Sequence, residues 1–243
     1  MLSGILLSDD IDFMIHGLFQ YSFFGHEVWI TTSHVCLLIV MLILIIFAIA
    51  ANRAMSKATE VPTGFQNVVE LIVEKLDDMV YSNMGNFGKR FRNYIGTIFI
   101  FILICNLSGL LGLRPPTADY GVTLPLGVVT FFLVHINQFR YNKLGDVWKD
   151  LTSPLPPWLP IWLPINLISE FAVPVSLSLR MFANVLSGTV MMALIYGLLK
   201  WAAVIWPAAL HAYFDIFSGA IQTYVFCMLT MTYIKNAVPA ETE

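Results

Sequence analysis

The chain has 243 residues, of which 58% are hydrophobic and only 12% carry a formal charge, with a net charge of -3. A soluble domain carries about 25% charged residues, so the composition excludes an ordinary soluble enzyme and fits a single polytopic membrane domain over residues 1–243. No basic patch with interleaved aromatics supports nucleic-acid binding, and Cys36, Cys105 and Cys227 all sit in apolar runs, where they read as small hydrophobes rather than disulfide or metal ligands.

The amino-terminal stretch, 1–29, contains Asp9, Asp10, Asp12 and Glu27 and no Lys or Arg. It lacks the positive start of a cleavable signal and is expected to be an external tail. The first span, 30–51, is followed at once by Arg53 and Lys57, which fixes that end in the cytoplasm. In 62–84, Val68, Val69, Ile72, Val73, Leu76 and Met79 recur at helical spacing opposite Glu70, Glu74, Asp77 and Asp78. That pattern predicts an amphipathic helix on the cytoplasmic surface. Lys89, Arg90 and Arg92 precede a second span, Arg114 and two prolines stop it outside, and Arg140, Lys143 and Lys149 follow a third. The second and third spans occupy 94–139.

A proline-rich stretch with Trp158 and Trp162 reads as interfacial. Beyond it lie two long runs, 163–199 and a last one ending at Lys235, expected to form a tilted hairpin over 163–235. The first of these would be about 55 Å long as a helix, against a hydrocarbon core of about 30 Å, so it must tilt, bend or break, and Pro174 offers one place to bend. The expectation is an all-α polytopic membrane protein of about five membrane helices plus one amphipathic surface helix, amino terminus outside and carboxyl terminus in the cytoplasm. No internal repeat is visible.

Arg180 is the most telling residue. A guanidinium stays protonated at any ordinary pH, and placing it at membrane depth costs about 3 kcal/mol on translocon scales. Ser176, Arg180, Asn184 and Ser187 share one helical face, and the last run carries a matching stripe of His211, Asp215, Ser218, Gly219 and Gln222. In an outward-running helix Glu170 lies about 15 Å inward of Arg180. In the returning helix Asp215 lies about 10 Å outward of Gln222. One acid on each side of a fixed positive charge suits two aqueous half-paths with no continuous leak. Each residue also has a plainer reading. Arg180 and Asp215 can form a static buried pair, Asn184 and Gln222 can bond neighbouring helices, Glu170 and His211 can be interfacial, and Asp119 can cap a turn. A stand-alone transporter whose arginine binds an anion and an intramembrane hydrolase using Asp215 and His211 are the competing classes. The first lacks a repeat and the second lacks a nucleophile or metal set.

The segment Pro164-Ile-Asn-Leu-Ile-Ser-Glu170-Phe-Ala-Val-Pro174-Val-Ser176-Leu-Ser-Leu-Arg180-Met-Phe-Ala-Asn184 resembles the signature of subunit a of bacterial F-type ATP synthases, as do Pro116-Thr-Ala-Asp119 and Gln222-Thr-Tyr-Val-Phe before Met228-Leu-Thr230. The resemblance covers nearly the whole chain. It implies an ion-translocating stator subunit of a membrane motor in the bacterial plasma membrane, with a rotating c-ring and peripheral-stalk subunit b as partners, moving H⁺ or Na⁺. It implies that Arg180 meets the ring carboxylate and blocks leakage. Asn184, Asp215 and Gln222 would then belong to the outer path or the surroundings of the arginine, and Glu170 to the cytoplasmic path. Ser176, His211 and Asp119 are secondary candidates. Thr189, Asp215, Val173 and Ala183 depart from common family patterns, which puts the weight of the outer path on Asp215. No cofactor is implied, and no Gly-x-x-x-x-Gly-Lys-Ser/Thr occurs, so ATP chemistry belongs to other subunits.

Overall fold

The computed structural model describes residues 17–23, 26–56, 58, 64–111, 115–142, 145, 162–198, 209–210 and 212–238. The chain is an all-α polytopic membrane protein, with five helices among the described residues long and apolar enough to cross a bilayer. Ahead of them stands a short antiparallel hairpin, β1 (Gly17–Phe23) and β2 (His26–Thr31), in register from Phe19 opposite Ile30 to Phe23 opposite His26. The sequence reading gives this stretch no element and starts the first span at Ile30, which instead belongs to β2. The segment is dense in aromatic and β-branched residues, which favour strands, and a reading led by charge and hydropathy passes over that signal.

The helices are α1 (Thr32–Met55), α2 (Phe65–Met84), α3 (Arg92–Leu107), α4 (Tyr120–Tyr141), α5 (Trp162–Leu198) and α6 (Gly219–Asn236). In α1 only Ser33, Cys36 and Val40 are buried, while Leu38, Leu42, Ile45 and Ile46 are exposed. Such a helix needs lipid around it rather than water. Two glycines with positive φ, Gly64 at 57° and Gly85 at 60°, bracket α2 and turn the chain sharply at each end. The amphipathic pattern of α2 turns Val69, Val80 and Met84 inward. Its Asp77 meets Arg92 at the start of α3 at 3.0 Å. Asp119 caps α4, its Oδ1 accepting from the Gly121 amide at 2.9 Å.

One apolar cluster ties four helices. Val80 and Met84 of α2, Ile95, Ile98 and Ile102 of α3, Leu177 and Met181 of α5, and Phe226, Met231 and Ile234 of α6 interlock there. The most extensive helix pairs are α4 with α5 and α3 with α6. Two polar contacts gather the helix ends on one side: Arg90 donates to the Tyr141 hydroxyl at 3.1 Å, and Asn142 donates to the Ala237 carbonyl at 2.9 Å. Arg90, Arg92, Arg140 and Lys235 therefore share that side of the molecule.

At 37 residues α5 is continuous through Pro174. It lies against α4 at Gly127, where a Cβ would stand 2.5 Å from the Pro174 carbonyl oxygen. Small residues permit this kind of close backbone approach between membrane helices. Gly127→Ala therefore forces α4 off α5, with an expected loss of about 1–3 kcal/mol read as a lower midpoint of thermal unfolding in detergent. Gly145→Ala, whose Cβ meets nothing within 4 Å, leaves that midpoint unchanged.

Candidate functional site

The α5 helix turns Leu177, Ser178 and Met181 into the core, and its periodicity sends Ser176, Arg180, Ala183 and Ser187 outward. Arg180 is thus exposed on the outer face of the bundle, flanked above and below by small side chains. Among the described residues it makes no hydrogen bond and no ion pair; the ion pairs there are Arg92 with Asp77 and His135 with Glu170. Asn184 parts from the stripe and turns to the last helix. Its Nδ2 donates to Ser218 Oγ at 3.1 Å, and Ser218 Oγ lies 3.2 Å from Asn184 Oδ1. Among the described residues the two polar stripes read from the sequence meet at Asn184 and Ser218.

Asp215 stands in a π-helical turn, Ala212–Ser218, immediately before α6. A π turn bonds i to i+5 rather than i+4 and recurs at functional sites. It also breaks the simple α-helical register assumed when Asp215, Ser218 and Gln222 are placed on one face. The Asp215 carboxyl is half-buried against Gly109, where a Cβ would lie 3.1 Å from Asp215 Cγ and Oδ1. Gly109 therefore makes the room that the carboxyl occupies. Gln222 is buried at 7% exposure, and its Nε2 has no hydrogen-bond partner among the described residues. His211 lies outside the described residues. Asp119 acts as the cap of α4 described above.

Asn106, which the sequence reading overlooks, organises this end of the site. Its Nδ2 donates to the Gly219 carbonyl at 3.1 Å and to Thr223 Oγ1 at 3.2 Å, and its Oδ1 accepts from Thr117 Oγ1 at 2.8 Å. One buried amide thus fastens α3, the Pro116–Ala118 turn and the start of α6. The signal available beforehand was a lone amide in an apolar span. Asn106→Leu leaves the Thr117 hydroxyl buried without its acceptor, with an expected cost of about 1–3 kcal/mol, measured as a lower thermal midpoint of the purified subunit or complex.

Glu170 sits at the other end of the site. Pro174, four residues on, has no amide hydrogen to give the Glu170 carbonyl. The Glu170 Oε2 lies 3.5 Å from Nε2 of His135 on α4, a second residue that the sequence reading passes over. Both border a cavity of about 190 Å³ with Gln138, Tyr233 and Asn236. The signal for His135 was an ionisable side chain inside a span. The site thus comprises a half-buried acid near the Thr117 end, an acid paired with histidine near the Arg140 end, and an exposed arginine on the helix between them.

Comparison with known proteins agrees in extent. Residues 34–235 match the family model described as ATP synthase A chain. The sodium-ion-specific ATP synthase subunit a of Propionigenium modestum is 37% identical over 79% of this chain and 70% of its own length. ATP synthase subunit a of a Sulfurihydrogenibium species (strain YO3AOP1) is 33% identical, covering 85% of this chain and 97% of the relative. That of Streptococcus agalactiae (serotype Ia strain) is 31% identical, covering 91% and 96%. The chain therefore belongs to the family of ATP synthase subunit a, the ion-translocating stator component of the membrane sector, which leaves nucleotide chemistry to other subunits.

Proposed function

We propose that this chain carries H⁺ or Na⁺ between two offset aqueous half-paths and a rotating ring of c-subunits, with Arg180 as the barrier between them. The observation that carries the reading is the exposed Arg180 without a partner among the described residues. A charge of this kind is too costly to leave to lipid. We assign its counter-charge to another chain, and a ring carboxylate fits. Ser176, Ala183 and Ser187 on the same exposed stripe are small, which lets a partner helix approach the guanidinium closely. The same fixed charge repels a free cation that tries to pass from one path to the other.

The placement of the acids supports two separate paths. Asp215, with Gly109 beside it, serves the outer path, and Asn184 and Gln222 line the approach to the arginine. Glu170, with Tyr233 and Asn236 nearby, serves the inner path. Arg90, Arg92, Arg140 and Lys235 gather at the Glu170 end, which the positive-inside rule assigns to the cytoplasm. With the inner side fixed there, the amino terminus is outside and the carboxyl terminus is cytoplasmic. The blocks then read as an external region that includes the Gly17–Thr31 hairpin, a first span over Thr32–Met55, a surface helix over Phe65–Met84, two spans within 94–139 and a ring-facing hairpin over 163–235. The plasma membrane of a bacterium is the setting, and peripheral-stalk subunit b is the second partner.

Two outcomes test the reading. Arg180→Ala is expected to abolish coupled ATP synthesis while the complex still assembles; failure to assemble would instead make the arginine structural. In a background without the three native cysteines, Ser176→Cys and Ala183→Cys are expected to crosslink to a c-subunit carrying cysteines around its buried carboxylate, and the crosslinks should stop ATP-driven rotation. Folded, labelled protein that forms none of these crosslinks removes the ring from the Arg180 face.

A further inference from the structure

We infer that His135 is a proton-carrying residue of the inner path, sharing one proton with Glu170. This rests on the two-path reading above. The imidazole Nδ1 lies 2.9 Å from the carbonyl oxygen of Phe131, one turn back on α4. A backbone carbonyl only accepts, so Nδ1 carries the hydrogen and donates it. The tautomer is thereby settled by the helix itself. The other nitrogen, Nε2, faces Glu170 Oε2 at 3.5 Å. Without a proton between them, that contact sets a nitrogen lone pair against a carboxylate. With one, it is either imidazolium beside carboxylate or imidazole beside carboxylic acid. The contact between α4 and α5 therefore stores one proton.

The surroundings suit transfer rather than a sealed pair. Histidine and glutamate are both partly buried, at 21% and 32% side-chain exposure, and both border the cavity of about 190 Å³. Among the described residues, the ionisable groups facing His135 across that cavity are Glu170 from α5 and Tyr233 from α6, and Arg140 follows five residues along α4 itself. The Phe131 ring, its centroid 4.0 Å from that of His135, backs the imidazole and limits its swing. When a second proton reaches the Glu170 carboxylate, an O–H bond forms there while Nε2–H remains. Release of the Nε2 proton to water in the cavity breaks that N–H bond and returns the pair to one proton. No charge or electron is left unaccounted for. Glutamine at 135 keeps hydrogen-bonding capacity and loses titration, so it separates a relay from a spacer.

The test uses the whole ATP synthase complex in proteoliposomes, with ATP-driven proton pumping followed by a pH-sensitive dye as the inner-side pH is varied. His135→Gln is expected to slow pumping by about tenfold or more and to flatten its dependence on inner-side pH. In His135→Ala, free imidazole is expected to restore part of the rate. His135→Gln that pumps at the wild-type rate with the wild-type pH profile overturns the inference. So does a slowed variant that keeps the wild-type profile in a protein where imidazole restores nothing. Glu170→Gln separates the two levels of argument. If it slows pumping while His135→Gln does not, the inner path stands and the relay falls. If neither variant alters pumping, the inner-path reading fails as well.

Discussion

A guanidinium in a membrane-spanning helix has few ways to lower its energy. It cannot give up its proton, and no carboxylate of the described chain comes to meet Arg180. Many membrane helices hide such a group in the bundle. Here Leu177 and Met181 take the inward positions, and the arginine is turned out. The rest of the structure is consistent with that choice. The apolar cluster of α2, α3, α5 and α6 holds the helix firmly from behind, and small residues clear the front. In the proposed assembly, a partner chain meets the cost of that exposed charge.

Polar side chains in the bundle do the opposite work. Asn106 satisfies two acceptors and a donor and so joins three elements, and Asn184 pairs with Ser218. In hydrocarbon such bonds contribute only about 0.6 kcal/mol each on average, so their main effect is on geometry. They fix the rotation of α6 about its axis and hold the π turn that carries Asp215. Gly109 and Gly219 complete the fit by leaving out side chains: a Cβ at Gly219 would come within 3.0 Å of Asn106 Cβ. Acid, amide and glycine form one packed unit.

Much of this was legible in the sequence, for reasons that differ by residue. The spans follow from hydropathy and length, and Arg180 declares itself because a charge in an apolar run is rare. The family signature around it reinforces the same point. His135 and Asn106 were no less visible as letters. What was missing is the partner: Glu170 lies 35 positions from His135, and Gly219 lies 113 from Asn106. Pairings across such separations are tertiary facts that local periodicity does not carry. The π turn is similar, because it depends on what α6 packs against. The hairpin of Gly17–Thr31 escaped for the converse reason. Its signal is local, but it lies in strand propensity rather than in charge.

The backbone contact of Gly127 with Pro174 has a mechanical meaning. It falls four residues after Glu170 and six before Arg180, so it divides the distance between the two charged residues on α5. With no side chain between the helices there is nothing soft to compress. A sideways load applied at Arg180 acts on a lever arm of only about 9 Å before it meets this hard stop. The load then passes into α4 instead of flexing α5. The proline weakens the helix along its axis and the glycine braces it from the side at the same place. The fulcrum therefore braces the arginine-bearing stretch of α5 against sideways displacement.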